Sequence, residues 1–347
     1  MFLKLLNFIN FRNYAQLELN FDSCPTIFVG NNAAGKSNLL EAVYFLSTTK
    51  SGRVDEEMEL IKSGESAARL QGTGDSDLEI TLQNTDENFS KKVKVNGVPR
   101  RVVDYIGNMP VVLFSPSDIN MVTGAPSLRR WHLDMALAQV DSAYKKALTL
   151  YEQVLVSRNR VLKRIREGQG KLDELDFWTG ELIKHGEVVS LAREAFLQAM
   201  NNFQSPLGLF IFEYKQSLLN KERLIEYNGR EVAAAATLIG PHRDDFVLNL
   251  NNQNLAHFGS RGEQRLATLA FKLAQLEYMA LTLGKRPILL LDDVFSELDA
   301  NHRAHVVEVV GRQQTLIATV ELENLPKSFL NSARILKVED GKIIENK

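Results

Sequence analysis

The sequence predicts an α/β fold carrying an α-helical insertion, and three stretches predict it. The first is Gly30-Asn31-Asn32-Ala33-Ala34-Gly35-Lys36-Ser37, a GxxxxGK[ST] loop between the apolar run 26–29 and the helix-patterned run 39–46. The second is a pair of apolar seams of helical spacing between residues 140 and 199. The third is the apolar run 288–291, which ends in two carboxylates, Asp292 and Asp293.

Strand, glycine-bounded loop and helix, in that order, is the context a phosphate-binding loop needs. The glycines let backbone N–H groups turn inward, and the helix N-terminus adds the positive end of its dipole. In that reading Lys36 reaches the β- and γ-phosphates and the Ser37 hydroxyl binds Mg²⁺. The bland alternative is a chance match in which the glycines merely make turns. The flanking strand and helix argue against it.

Composition bounds the rest. A chain of 347 residues suggests about two domains. A hydrophobic content of 44% fits a globular protein with a sizeable core. The net charge of −2 gives no global field that attracts nucleic acid, so any such binding must use local patches. The single cysteine, Cys24, can form no intrachain disulfide, which suits a reducing cytoplasm. The start of the chain reads as a strand rather than a signal peptide, and no apolar run is long enough to span a membrane.

Residues 1–29 alternate as two strands with residues 10–14 between them. A β-rich region follows, in which Lys92-Val93-Lys94-Val95 runs into the hairpin signal Asn96-Gly97. Lys91, Lys92, Lys94, Arg100 and Arg101 surround that hairpin and suit a solvated face or a DNA contact equally. A strand ends at Pro116, and a helix begins after Pro126.

The first seam runs Val140, Tyr144, Ala147, Tyr151, Val154, Arg158, Val161, Ile165, with Arg158 as its one polar intruder. Gly168-Gln169-Gly170 breaks it, and a second seam runs from Leu175 to Ala199. Two such helices make an antiparallel hairpin with arms of roughly 40 Å at 1.5 Å per residue. His185 falls on the second seam, with no ligand set around it. The first arm carries Lys145, Lys146, Arg160, Lys163, Arg164 and Arg166 on its outer face, either a solvated face or a nucleic-acid contact.

Further on, Ser260 and Glu263 have the spacing of a capping box at the start of a long helix. The same geometry would suit a phosphate at that helix N-terminus, so the two readings stay open together. The apolar strand ending at Asp292 has the character of a buried parallel strand. Its carboxylates fall where ligands bind in open α/β sheets, which makes Asp292 a Mg²⁺-binding candidate.

Together these pieces resemble an ABC-type ATPase of the SMC-like branch, with Ser260-Arg261-Gly262-Glu263 as the signature element. Six segments are similar to the RecF family of bacterial recombination mediators. They are Phe11-Arg12-Asn13-Tyr14, the P-loop continuing through Asn38 to Ala42, residues 115–134, Gly240-Pro241-His242-Arg243-Asp244-Asp245, residues 260–265 and residues 290–299.

The resemblance implies an ABC-type P-loop ATPase head built from residues 1–115 and 237–347, with a helical lobe over residues 116–236. It implies ATP and Mg²⁺ as cofactors. Arg12, Gly30 to Asn38 (with Asn31, Asn32, Ala33, Ala34, Gly35, Lys36 and Ser37 between), Ser260, Gly262 and Glu263 would lie at the nucleotide, Ser37 and Asp292 at the metal. Asp293 would stand where such heads place the glutamate that polarises the attacking water, and would give slow turnover. ATP would join two protomers, Ser260 and Gly262 of one facing the γ-phosphate held by the other. The implied partners are duplex DNA, single-strand/duplex junctions, RecO and RecR, in DNA replication and repair.

Some residues depart from the family pattern. Ala33 replaces a usual glycine, Ser37 a frequent threonine, and His132 a usual Phe or Tyr. Thr319 stands where the ABC switch histidine belongs, and the role of the GPHRDD segment stays open. The rival readings are a P-loop phosphotransferase for a small molecule and a clamp that holds ATP only structurally. A third, an ABC-type nuclease, needs more chain after the head than is expected here.

Overall fold

The computed structural model describes residues 1–85, 88–203 and 207–344. It divides into two compact units, one of Met1–Asp118 with Gln275–Lys347 and one of Ile119–Ala274.

The first unit holds two sheets. Strands β1 (Leu3–Phe11), β2 (Tyr14–Asn20), β4 (Ala67–Gly74), β5 (Leu78–Asn84), β6 (Phe89–Val95) and β7 (Val98–Arg100) form an antiparallel sheet in the order β2-β1-β4-β5-β6-β7. The alternation of β1 buries Leu3, Leu6, Phe8 and Phe11 on one face. The first 29 residues thus hold three strands where two were expected, because β3 (Thr26–Val29) is separated from β2 and joins the other sheet. The Asn96-Gly97 signal forms its hairpin, with φ of +51° and +76° as the tight turn requires.

The second sheet runs β15-β14-β3-β13-β12-β8, built from β8 (Val111–Phe114), β12 (Ile288–Asp292), β13 (Thr315–Thr319), β14 (Arg334–Glu339) and β15 (Lys342–Ile344). Strands β8, β12, β13, β3 and β14 are parallel. Helix α1 (Lys36–Thr48) touches strands of both sheets and is buried along nearly its whole length. That matches a sequence apolar almost all round. The register pairs Val29 with Thr319 and Ala318 with Asp292, so the P-loop strand and the acidic strand end at one sheet edge.

The second unit contains α2 (Pro126–Val140), α3 (Ser142–Arg166), α4 (Leu175–Asn201) and α5 (Lys221–Ala234), with an antiparallel sheet of β9 (Phe210–Lys215), β10 (Asp245–Leu250) and β11 (Gln253–Asn254). Helix α6 (Arg261–Leu283) starts here and runs on into the first unit. Helices α3 and α4 form the expected hairpin, and Tyr144, Ala147, Tyr151, Val154 and Val161 bury their seam. Val140 ends a separate helix, because the Asp141 carboxylate accepts from the N–H groups of Ala143 and Tyr144 at 2.8 and 2.9 Å and starts α3 afresh. Arg158 is the hairpin's buried anchor. Its guanidinium donates to Glu231 at 2.6 Å and to Thr237 at 2.7 Å, which fastens α5.

The expected boundary at 236/237 falls inside the second unit, which includes both Gly240–Asp245 and Ser260–Glu263. Strand β10 pairs with β9 from Asp245–Lys215 to Leu250–Phe210, which holds this segment there. The GPHRDD segment is a knot of polar contacts within that unit. Arg193 donates to Pro241 O at 2.8 Å and to the buried Asp244 carboxylate at 3.2 Å. Arg129 grips Asp245 through two bonds of 2.6 and 2.9 Å, and His242 meets the Tyr151 hydroxyl at 2.7 Å. The Arg243 side chain is exposed.

Candidate functional site

The P-loop lies between the end of β3 and the start of α1, and the fold makes it tight. A Cβ on Gly30 would lie 2.2 Å from the carbonyl oxygen of Val338 in β14, so only glycine fits there. Gly35 takes φ +115° and lies against Tyr14, whose hydroxyl donates to Gly35 O at 3.1 Å. Asn13 donates to Ala34 O at 3.3 Å and accepts from Asn38 at 2.8 Å. The turn between β14 and β15 closes the far side, with Gly341 N–H donating to Ala34 O at 2.9 Å. Ala33 takes φ +64°, so its position is one that glycine would occupy without strain.

Within this frame Lys36 donates to the carbonyls of Gly30 and Asn31, both at 2.8 Å. Burial lowers the Lys36 pKa, against the opposing charges of Asp292 and Asp293. The Ser37 hydroxyl donates to Asp292 Oδ1 at 2.8 Å. Burial raises the Asp292 carboxyl above its ordinary range, offset in part by that bond from Ser37. Asp293 turns through φ +50°, and its Oδ1 is buried without a hydrogen-bond partner among the described residues. A cavity of about 260 Å³ opens over Asn32, Lys36, Ser37, Asp292 and Asp293.

These residues fit the expected groups. Two hard oxygen donors, Ser37 Oγ and an Asp292 carboxylate oxygen, already lie together as a Mg²⁺ ion requires. The Lys36 cation suits a triphosphate, and the buried, unpartnered Asp293 oxygen, an acceptor, suits a water beside it.

Arg12 belongs to the next layer out. Its guanidinium forks onto the buried Glu41 carboxylate at 2.8 and 2.9 Å, beside a second cavity that shares Asn38 and Arg53 with the first. Arg53 had no sequence signal, since it follows α1 in an irregular stretch, as Pro116 follows β8. Both line the first cavity, as does Val320 beyond β13. Thr319 is buried, and its hydroxyl donates to Glu321 O at 3.1 Å.

The signature element lies in the second unit and forms its capping box. Ser260 N–H and Oγ both donate to Glu263 at 2.8 Å, and these bonds lower the Glu263 pKa. Ser260 and Gly262 are exposed, and a Cβ on Gly262 would meet nothing within 4 Å. An open, well-capped helix start is thus available to a ligand approaching from outside. Of the basic clusters, Lys91 pairs with Glu57 at 2.7 Å, Lys94 with Glu79 at 2.9 Å and Arg101 with Asp104 at 2.9 Å. On the hairpin arm, Lys146, Arg160, Lys163, Arg164 and Arg166 are exposed.

Fold and site together define an ATPase head of the ABC type, from the SMC-like branch, with an inserted helical lobe. The model of the RecF/RecN/SMC N terminal domain matches residues 2–343. The DNA replication and repair protein RecF of Oceanobacillus iheyensis is 35% identical, over 98% of this chain and 99% of that protein. Its counterpart in Bacillus mycoides is 36% identical, over 99% and 98%. The chain belongs to the RecF family. Among solved structures, the recombination mediator protein RecF with ATP, of the RecFOR pathway, aligns with a TM-score of 0.88 at 29% identity, over 100% of this chain and 98% of that one. The Smc head domain of Pyrococcus furiosus, at 17% identity and a TM-score of 0.54, shares the fold.

Proposed function

We propose that this chain is an ATP-dependent DNA-binding protein of replication and recombinational repair, acting in the cytoplasm as an ATP-driven dimer that clamps duplex DNA at gaps. Slow ATP hydrolysis would release it, and RecO and RecR would work with it in loading recombinase. The observation that carries this reading is the Ser37–Asp292 contact of 2.8 Å, beside Lys36 and Asp293 in one cavity. RecF-family membership supports the repair role.

The residues have separate tasks. Lys36 would leave the Gly30 and Asn31 carbonyls to hold the β- and γ-phosphates. Ser37 and Asp292 would hold Mg²⁺, which neutralises charge on the phosphates. Asp293 would orient the attacking water and take its proton on the carboxylate. Ser260 and Gly262, exposed at their helix start, would meet the γ-phosphate bound by a second protomer. The exposed cations of α3 would follow the DNA backbone, since no base-reading motif is present.

The test is ATP turnover with and without duplex DNA. Stimulation by DNA, abolished by Lys36→Met, is expected; stimulation by a small phosphate acceptor instead would favour a phosphotransferase. Reversing Lys163, Arg164 and Arg166 together should weaken DNA binding and flatten its steep salt dependence. An unchanged slope would make that arm a solvated face.

A further inference from the structure

Glu41 of α1 is only 2% exposed, yet it does not line the nucleotide cavity. Its carboxylate accepts from Arg12 at 2.8 and 2.9 Å, from Arg53 at 3.2 Å and from the Ser51 hydroxyl at 2.6 Å. One buried negative charge thus anchors two guanidinium groups carried by distant parts of the chain. Arg12 sits in the β1–β2 turn at φ +52°, and Arg53 in the irregular segment beyond α1. Arg53 also donates to Asn38 at 3.2 Å, lines the cavity and acts electrostatically on Asp292.

We propose that Glu41 is a positioning residue for the nucleotide site: it fixes the Arg53 guanidinium at the cavity lip. Without its charge, Arg53 would lose the counterion that it shares with Arg12. Arg53, 39% exposed and held otherwise, among the described residues, by the Asn38 amide oxygen, would lose its fixed direction. A long side chain fixed in advance loses less entropy on meeting a phosphate. The Arg–carboxylate fork supplies that fixing through directional, charge-assisted bonds.

The inference rests on the ATP-binding reading, and the experiment separates the two. Fluorescent mant-ATP binding is measured for the wild type, Glu41→Gln, Arg53→Ala and the double variant, with urea midpoints alongside. Each single change is expected to weaken binding about 10- to 100-fold, the worth of a charge-assisted hydrogen bond. The double variant should bind no worse than Arg53→Ala alone, because Glu41 acts through that side chain. Losses that multiply in the double variant would overturn the proposal, as would a Glu41→Gln protein that binds normally. Should Glu41→Gln fail to fold, Glu41→Asp keeps the charge but retracts it, and the same non-additivity is expected. A wild type that binds no mant-ATP would overturn the nucleotide reading itself.

Discussion

The Ser37 hydroxyl donates to Asp292 Oδ1 at 2.8 Å across a sequence separation of 255 residues. The parallel register brings them together: β13 lies between β3 and β12, and all three strands end at one edge. Two oxygen donors that meet there before any ion is considered are a ready part of an octahedral Mg²⁺ shell, whose other places fall to phosphate and water.

Asp293 should be separable from Asp292 by substitution. Asp293→Asn keeps the side-chain volume, so ATP should still bind through Lys36, Ser37 and Asp292 while hydrolysis falls by about 10²- to 10⁴-fold. The variant should accumulate as an ATP-bound dimer with prolonged residence on DNA. Asp292→Asn should instead lose metal-dependent binding. Single-turnover hydrolysis and DNA dissociation check both, and near-normal hydrolysis in Asp293→Asn would assign the base elsewhere.

Ala33→Gly should tighten nucleotide binding and stabilise the head. An L-residue at φ +64° carries about 1–2 kcal/mol of steric strain, partly offset in the variant by the greater freedom of glycine when unfolded. A net gain of up to about 1 kcal/mol is expected in urea unfolding. A loss of stability would show that the Ala33 methyl is a needed packing contact.

His132 should give the protein an acid-sensitive limb. It is fully buried, and burial first, then the nearby Lys272 charge, lowers its pKa well below 6.5. The unfolded chain therefore takes up this proton at a higher pH than the folded one. Stability should fall as pH drops below about 6.5, by at most about 1.4 kcal/mol per pH unit for this one proton. His132→Phe should remove that share, so its urea midpoint should change less between pH 7 and pH 5 than the wild type's. An identical drop would exclude His132 as a source.

The P-loop, the acidic strand and the helical hairpin were legible because each is a local pattern with a fixed period or spacing. What the sequence hid was long-range pairing. Arg158 reads only as an intruder in a seam, and its partner Glu231 lies 73 residues away. The Phe11–Tyr14 stretch reads as a family motif, but its work is distributed: Arg12 anchors on Glu41, Asn13 on Asn38, and Tyr14 on Gly35 O. The turn at Gly341 reads locally as a closing hairpin, but its contact with Ala34, from the far end of the chain, leaves no local signal. The same holds for GPHRDD, whose aspartates are spent on Arg193 and Arg129. The 236/237 boundary was misplaced for the same reason, since β10 pairs back to β9.

Sedimentation velocity of the wild type and Ser260→Arg, each with and without ATP and Mg²⁺, tests the central claim of an ATP-joined dimer most directly. The wild type should be a monomer that becomes a dimer only with ATP, and the Ser260→Arg protein should bind ATP yet stay monomeric. A Ser260→Arg protein that dimerises fully with ATP, or a wild type that ATP leaves monomeric, would contradict it.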